Sequence, residues 1–108
     1  MANTFKSAAS GSTTTIQTLY TCPVATSGVV HAIYLSNIDG TNDATVDVSI
    51  SGSANFDDRR YILKTVDVPA DSTLVIEKPI NLEAGDILKA VASAAGDLQA
   101  FASVLEIT

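Results

Sequence analysis

Between Ala44 and Gly52 apolar and polar side chains alternate without a break, Val46, Val48 and Ile50 on one side and Thr45, Asp47 and Ser49 on the other. A period of two sends successive side chains to opposite faces of an extended chain, so the segment predicts an antiparallel strand with one buried face and one wet face. Composition points the same way. Val, Ile and Thr fill 31 of the 108 positions, and their branched β-carbons suit a pleated strand better than a helix. Six further segments read as strands: Ile16–Cys22, Val29–Ile38, Arg59–Val68, Thr73–Lys78, Asp86–Ser93 and Leu98–Ile107. Between them stand Asp39-Gly40, Ser51-Gly52, Pro69-Ala70-Asp71-Ser72, Ala84-Gly85-Asp86 and Ala95-Gly96-Asp97, each offering a residue that tolerates positive φ, presets φ or bonds its own backbone. Gly85 in particular is expected to need a positive φ. The rhythm is that of an all-β fold, a single antiparallel β-sandwich of about seven or eight strands, immunoglobulin-like or jelly-roll-like, and not of βαβ units. Alanines in Ala90–Ala95 are expected to let two sheets or two subunits approach closely.

The first fifteen residues differ from the rest. They are small and polar, with Phe5 as the one bulky anchor, and lack a hydrophobic face of their own. Residues 1–15 therefore read as an extended N-terminal arm and residues 16–108 as the sandwich domain. Fully extended, such an arm spans roughly 50 Å. It is either a frayed terminus or an arm that becomes ordered against a partner, which would then use Asn3, Thr4, Phe5 and Lys6 as its binding stretch, with Phe5 as the plug. A second irregular segment, Ser53–Asp58, carries Phe56 and runs into Asp57-Asp58-Arg59-Arg60, a hairpin loop with mutually compensating charges.

Charge and chemistry-bearing residues narrow the function. Six basic against twelve acidic residues give a formal charge of −6 and a pI near 4.3. That balance argues against a duplex nucleic-acid partner, since such binding depends on Lys and Arg displacing counterions. No apolar run suits a membrane span or a signal peptide, which leads to an expectation of folding in a cytoplasm. One cysteine excludes an internal disulfide, and one histidine excludes most zinc sites. Cys22 and His31 would fall on adjacent strands if Pro23–Gly28 formed a hairpin turn, but a thiol nucleophile also needs an orienter and oxyanion donors, and none is apparent. Cys22 reads as a small buried residue and His31, flanked by Val29 and Ile33, as a core or interface histidine. The carboxylates Glu77, Glu83, Asp86 and Glu106 are scattered, and without Trp a sugar platform would fall to Tyr20, Tyr34 and Tyr61. Asn37–Asp43 crudely mimics a calcium loop yet lacks the closing bidentate Glu, and a hairpin turn explains the same residues. No phosphate loop, dinucleotide fingerprint or catalytic serine motif occurs. The expectation is no enzyme, no catalytic residue, no cofactor and no metal.

Four stretches in order, Ile33-Tyr34-Leu35-Ser36-Asn37-Ile38-Asp39-Gly40-Thr41, Val68-Pro69-Ala70-Asp71-Ser72-Thr73-Leu74-Val75, Leu82-Glu83-Ala84-Gly85-Asp86-Ile87-Leu88-Lys89 and Ser103-Val104-Leu105-Glu106-Ile107-Thr108, follow a Met-Ala-Asn-Thr-Phe-Lys lead. In that combination the chain resembles the small β-sandwich virion structural proteins of tailed bacteriophages. The resemblance implies a non-enzymatic virion component assembled in a host cytoplasm. Its first form is a capsid decoration or cement protein, a homo-oligomer (trimer or higher) bound to the major capsid protein or other virion proteins, with neither nucleic acid nor membrane as partner. Its alternatives are a neck or tail component, such as an adaptor or fibre anchor, and, from another class, a host-surface carbohydrate-binding module.

Overall fold

The computed structural model describes residues 3–11, 17–52, 60–93 and 98–108. Among these there are nine strands and no helix: β1 (Asn3–Gly11), β2 (Gln17–Thr21), β3 (Ser27–Asn37), β4 (Ala44–Ser51), β5 (Arg60–Val68), β6 (Thr73–Ile76), β7 (Ile80–Leu82), β8 (Ile87–Ala92) and β9 (Leu98–Ile107). They pair antiparallel in a nested way. β1 runs along β9, β2 along β8, β3 along β6 and then β7, and β4 along β5, as though one long hairpin had been rolled up. Two more pairings, β3 with β9 and β4 with β8, close the roll into two sheets. The first sheet has the order β1-β9-β3-β6, with β7 also on β3, and the second the order β2-β8-β4-β5. This is the jelly-roll order and not the immunoglobulin one, with nine strands where seven or eight were expected.

Alternation decides which side chains fill the space between the sheets. Val46 and Val48 on β4, Leu88, Ala90 and Ala92 on β8, Ile33 and Leu35 on β3, and Ala100, Ala102 and Val104 on β9 point inward and are buried. No aromatic ring belongs to this buried set among the described residues. Of the five buried alanines, Ala44 lies on β4 and the other four on the middle strands β8 and β9, where a small side chain lets the sheets approach closely.

The two strands that alternation did not announce are β1 and β7. Residues 3–11, part of the segment read as an arm, form nine consecutive pairs with β9, from Asn3 opposite Ile107 to Gly11 opposite Gln99. β7 is three residues long, too short for a pattern to show. The hairpin through Pro23–Gly28 that would set Cys22 beside His31 does not form, because β2 enters the second sheet and β3 the first. Cys22 and His31 are therefore not on neighbouring strands. Gly85 has φ 90°, the left-handed conformation expected of it, and its N–H donates to the Cys22 carbonyl at 2.9 Å. The segment Ser53–Asp58, Arg59 and the Ala95-Gly96-Asp97 turn lie outside the described residues.

Candidate assembly surfaces

Three features of the exterior could bear function: a seam where the sheets meet, an outer face without charge, and four sheet edges of unequal regularity. At the seam, β1 and β2 are edge strands on the same side of the roll. Glu106, buried on the inner side of β9, accepts a hydrogen bond from the Tyr20 hydroxyl on β2, and Lys6 Nζ on β1 stands 4.0 Å from its other oxygen. Burial, reinforced by the hydrogen bond and the negative charge of Glu106, pushes the Tyr20 phenol well above its ordinary range. The Lys6 side chain is half exposed, so its ion pair adds little beyond closing the seam.

Cys22 lies just inside this seam at 1% exposure, with Sγ 3.4 Å from the Thr26 carbonyl oxygen. A β-carbon added at Gly28 would stand 3.4 Å from that sulfur, so the pocket is full. Burial first, then the Glu106 and Asp86 carboxylates, raise the thiol pKa and keep the sulfur protonated. A protonated, enclosed thiol is a poor nucleophile.

The outer face of the first sheet carries Phe5 and Ala9 from β1, Phe101, Leu105 and Ile107 from β9, and Tyr34 from β3. Phe5 is 77% exposed and its ring lies 6.3 Å from that of His31; Tyr34 and Phe101, paired across strands, are 6.1 Å apart. Outward positions along these strands include no Asp, Glu, Lys or Arg, since Lys6 and Glu106 both take inward positions. A neutral face bearing exposed aromatic rings in a chain of net charge −6 is unusual, because the free side of an antiparallel sheet is ordinarily polar. His31 is exposed here and not in the core. A register slip between Val30 and Ala32 inserts it as an extra residue, which turns Val29 outward and leaves Ile33 inward.

The edges differ in kind. β6 and β7 are four and three residues long with Pro79 between them. β2 has five residues and a register slip at Leu19. β5 is bulged: Thr65 adopts φ 53°, its N–H donates to Asp47 Oδ1 at 2.6 Å, and Lys64 Nζ reaches Asp47 Oδ2 at 3.4 Å. Short strands, proline, bulges and edge charges all discourage pairing with another chain. Among the described residues, β1 alone of the four edges is long and keeps one register throughout.

The groups weighed for chemistry do not converge. In the Asn37–Asp43 loop the Asp39 carboxylate is taken up by the backbone N–H groups of Thr41 and Asn42 and by the Asn42 side chain, contacts that hold its pKa below the usual range. It is a turn. Among the described residues no cluster of three His, Cys, Asp or Glu is placed to hold a metal. An open depression of about 420 Å³ is lined by Ala25, Thr26, Ser27, Glu83, Ala84, Ile107 and Thr108, with one titratable side chain, and no general acid–base pair faces it. Tyr20, Tyr34 and Tyr61 do not form a platform: they lie respectively in the seam, on the outer face of the first sheet and on edge strand β5.

No protein-family model matches this chain, and neither does any curated protein. Solved structures do. A subunit of the Bacillus endospore appendages, a family of disulfide-linked pili, superposes with TM-score 0.56 at 15% identity, over 99% of this chain and 87% of its own. A chain of the acid-stable capsid of Helicobacter pylori bacteriophage KHP30 gives 0.55 at 12% identity, over 100% and 89%. A chain of infectious bursal disease virus, Gx strain, gives 0.54 at 13%, over 98% of this chain and 33% of that larger one. What all three share with it is the fold.

Sequence reasoning missed two features of this surface. Lys89 sits on the outward side of β8, opposite Ser49, yet is only 2% exposed. A lysine next to core residues in sequence carries no sign of that burial. Likewise nothing local announces that Glu106 will meet Tyr20, 86 positions away.

Proposed function

We propose that this chain is a non-enzymatic structural subunit of a virion, a decoration or cement protein of a tailed bacteriophage that binds the major capsid shell in many copies. The observation that carries the reading is the charge-free outer face of the first sheet, where Phe5, Tyr34 and Phe101 are exposed. Such a face can dock on a protein shell without stripping water from charged groups, the main cost of burying polar surface. The expected binding residues Asn3, Thr4, Phe5 and Lys6 enter this reading as part of β1, with Phe5 and Asn3 on the docking face and Thr4 and Lys6 toward the seam. Occurrence of the same fold in a phage capsid supports it.

A disulfide-linked assembly of the kind named for the pilus subunits suits this chain less well, because its one cysteine is buried. The carbohydrate-binding alternative loses support from the dispersal of the three tyrosines. A neck or tail position is separated from the shell by copy number.

The test is co-sedimentation with shells stripped of this protein. The natural chain is expected to pellet to saturation, and a Tyr34→Asp, Phe101→Asp double variant to bind at least about tenfold more weakly, since buried aromatic anchors dominate interface energies. Full occupancy by the folded variant would refute the assignment of this face.

A further inference from the structure

We propose that the free edge of β1 is the site at which two copies of this chain join, β1 against β1, antiparallel about a two-fold axis. The inference rests on the reading that the chain works as an assembling subunit, and adds which strand makes the contact between copies.

Among the described residues, three of the four sheet edges are shortened, bulged or broken by proline, whereas the only such device on β1 is the charge of Lys6, which stands 4.0 Å from Glu106. β5 is kinked where Thr65 takes φ 53° opposite Asp47, β2 is short and slips register at Leu19, and β6 and β7 are brief and separated by Pro79. β1 has nine residues, no proline, no register slip, and a single charged residue, Lys6. A second β1 is the one occupant among these edges that can match its full length, since the others would offer four residues, five, or a bent strand.

The sequence of β1 also complements itself. Centred on Ser7, the pairing opposes Asn3 to Gly11, Thr4 to Ser10, Phe5 to Ala9 and Lys6 to Ala8, so all nine residues take part. The bulky outward ring of Phe5 then lies across from the small Ala9. The two Lys6 side chains become diagonal neighbours instead of facing each other, which avoids the penalty of like charges directly opposed. Centring on Lys6 would oppose the two ammonium groups and shorten the ladder. Because a two-fold contact uses the same strand on both copies, it closes on itself, and the two first sheets run together as one continuous sheet with one charge-free outer face.

Two single-cysteine additions test this on the full chain, with the buried Cys22 as an unreactive background. Ser7 is exposed, and Ser7→Cys places two thiols side by side across the axis. Asn3→Cys places them eight residues apart along the strands, about 27 Å. With a short bis-maleimide, the Ser7→Cys chain is expected to run mainly at twice the 11.2 kDa monomer mass, while the parent and Asn3→Cys chains stay single on a denaturing gel. Light scattering of the untreated parent should give the doubled mass. A parent that remains monomeric, a dimer that Ser7→Cys does not cross-link, or equal cross-linking through Asn3→Cys would each overturn the proposal. A monomer that still pellets with shells would remove the β1 contact and leave the shell-binding reading standing, so the two failures are distinct.

Discussion

Raising the pH from about 8 to about 11 should weaken this fold through two groups on the seam between the sheets. Cys22 and Tyr20 have ordinary values of 9.0 and 10.0, and both are raised in the folded chain, mainly by burial. Below the lower value both groups hold their protons in either state, and their contribution is complete. Above it the unfolded chain releases protons that the folded chain retains, so stability falls as pH climbs, until the folded groups ionise as well. Each withheld proton costs about 1.4 kcal/mol per pH unit. At pH 11 the phenol has passed one such unit, at most about 1.4 kcal/mol, which water reduces because Tyr20 is only half-buried; Cys22 adds to the loss in the same direction. Against the roughly 5–15 kcal/mol that holds a domain of this size together, such a loss is readable. Urea unfolding followed by circular dichroism at each pH reads it directly. Tyr20→Phe should begin lower, since Glu106 loses its donor, by about 1–3 kcal/mol, and should then decline less steeply. A midpoint that stays flat over this range, or an equal slope in Tyr20→Phe, would refute the reasoning.

Other perturbations have equally definite outcomes. Gly85→Val forces a β-branched residue into φ 90° and should lower stability by more than about 1 kcal/mol, read as a fall in Tm; an unchanged Tm would show that the turn tolerates a side chain. Asp47→Ala removes the acceptor that holds Thr65 in its left-handed conformation, and should destabilise by about 1 kcal/mol while relaxing the bulge that protects β5. Light scattering should then register new association through that edge, and a chain as soluble and as stable as the parent would count against the guarding role.

How far these features could be read in advance depends on how local their causes are. β4 was legible because Val46, Val48 and Ile50 alternate with polar residues, and the turn at Gly85 because its backbone conformation is one that glycine adopts freely. β1 was not, since Asn-Thr-Phe-Lys-Ser-Ala-Ala-Ser-Gly has no alternation of apolar and polar residues and owes its strand to the ladder with β9. The outward turn of His31 was not legible, because one extra residue in β3 exchanges the two faces and leaves of the core-or-interface reading only the interface. Alternation places Asp47 on the wet face, where it lies, but its grip on Thr65 depends on a bulge in another strand. The candidate docking face is likewise a product of topology. It gathers Phe5, Tyr34 and Phe101 from three strands that nothing in the linear order brings together.

On the proposed function the chain acts by adhesion through its exterior. Counting its copies in purified particles by quantitative mass spectrometry tests that claim most directly. Several hundred copies per particle are the expected result, as for a subunit that covers a shell. A dozen copies or fewer would assign it to the tail axis, and complete absence from particles would contradict the account.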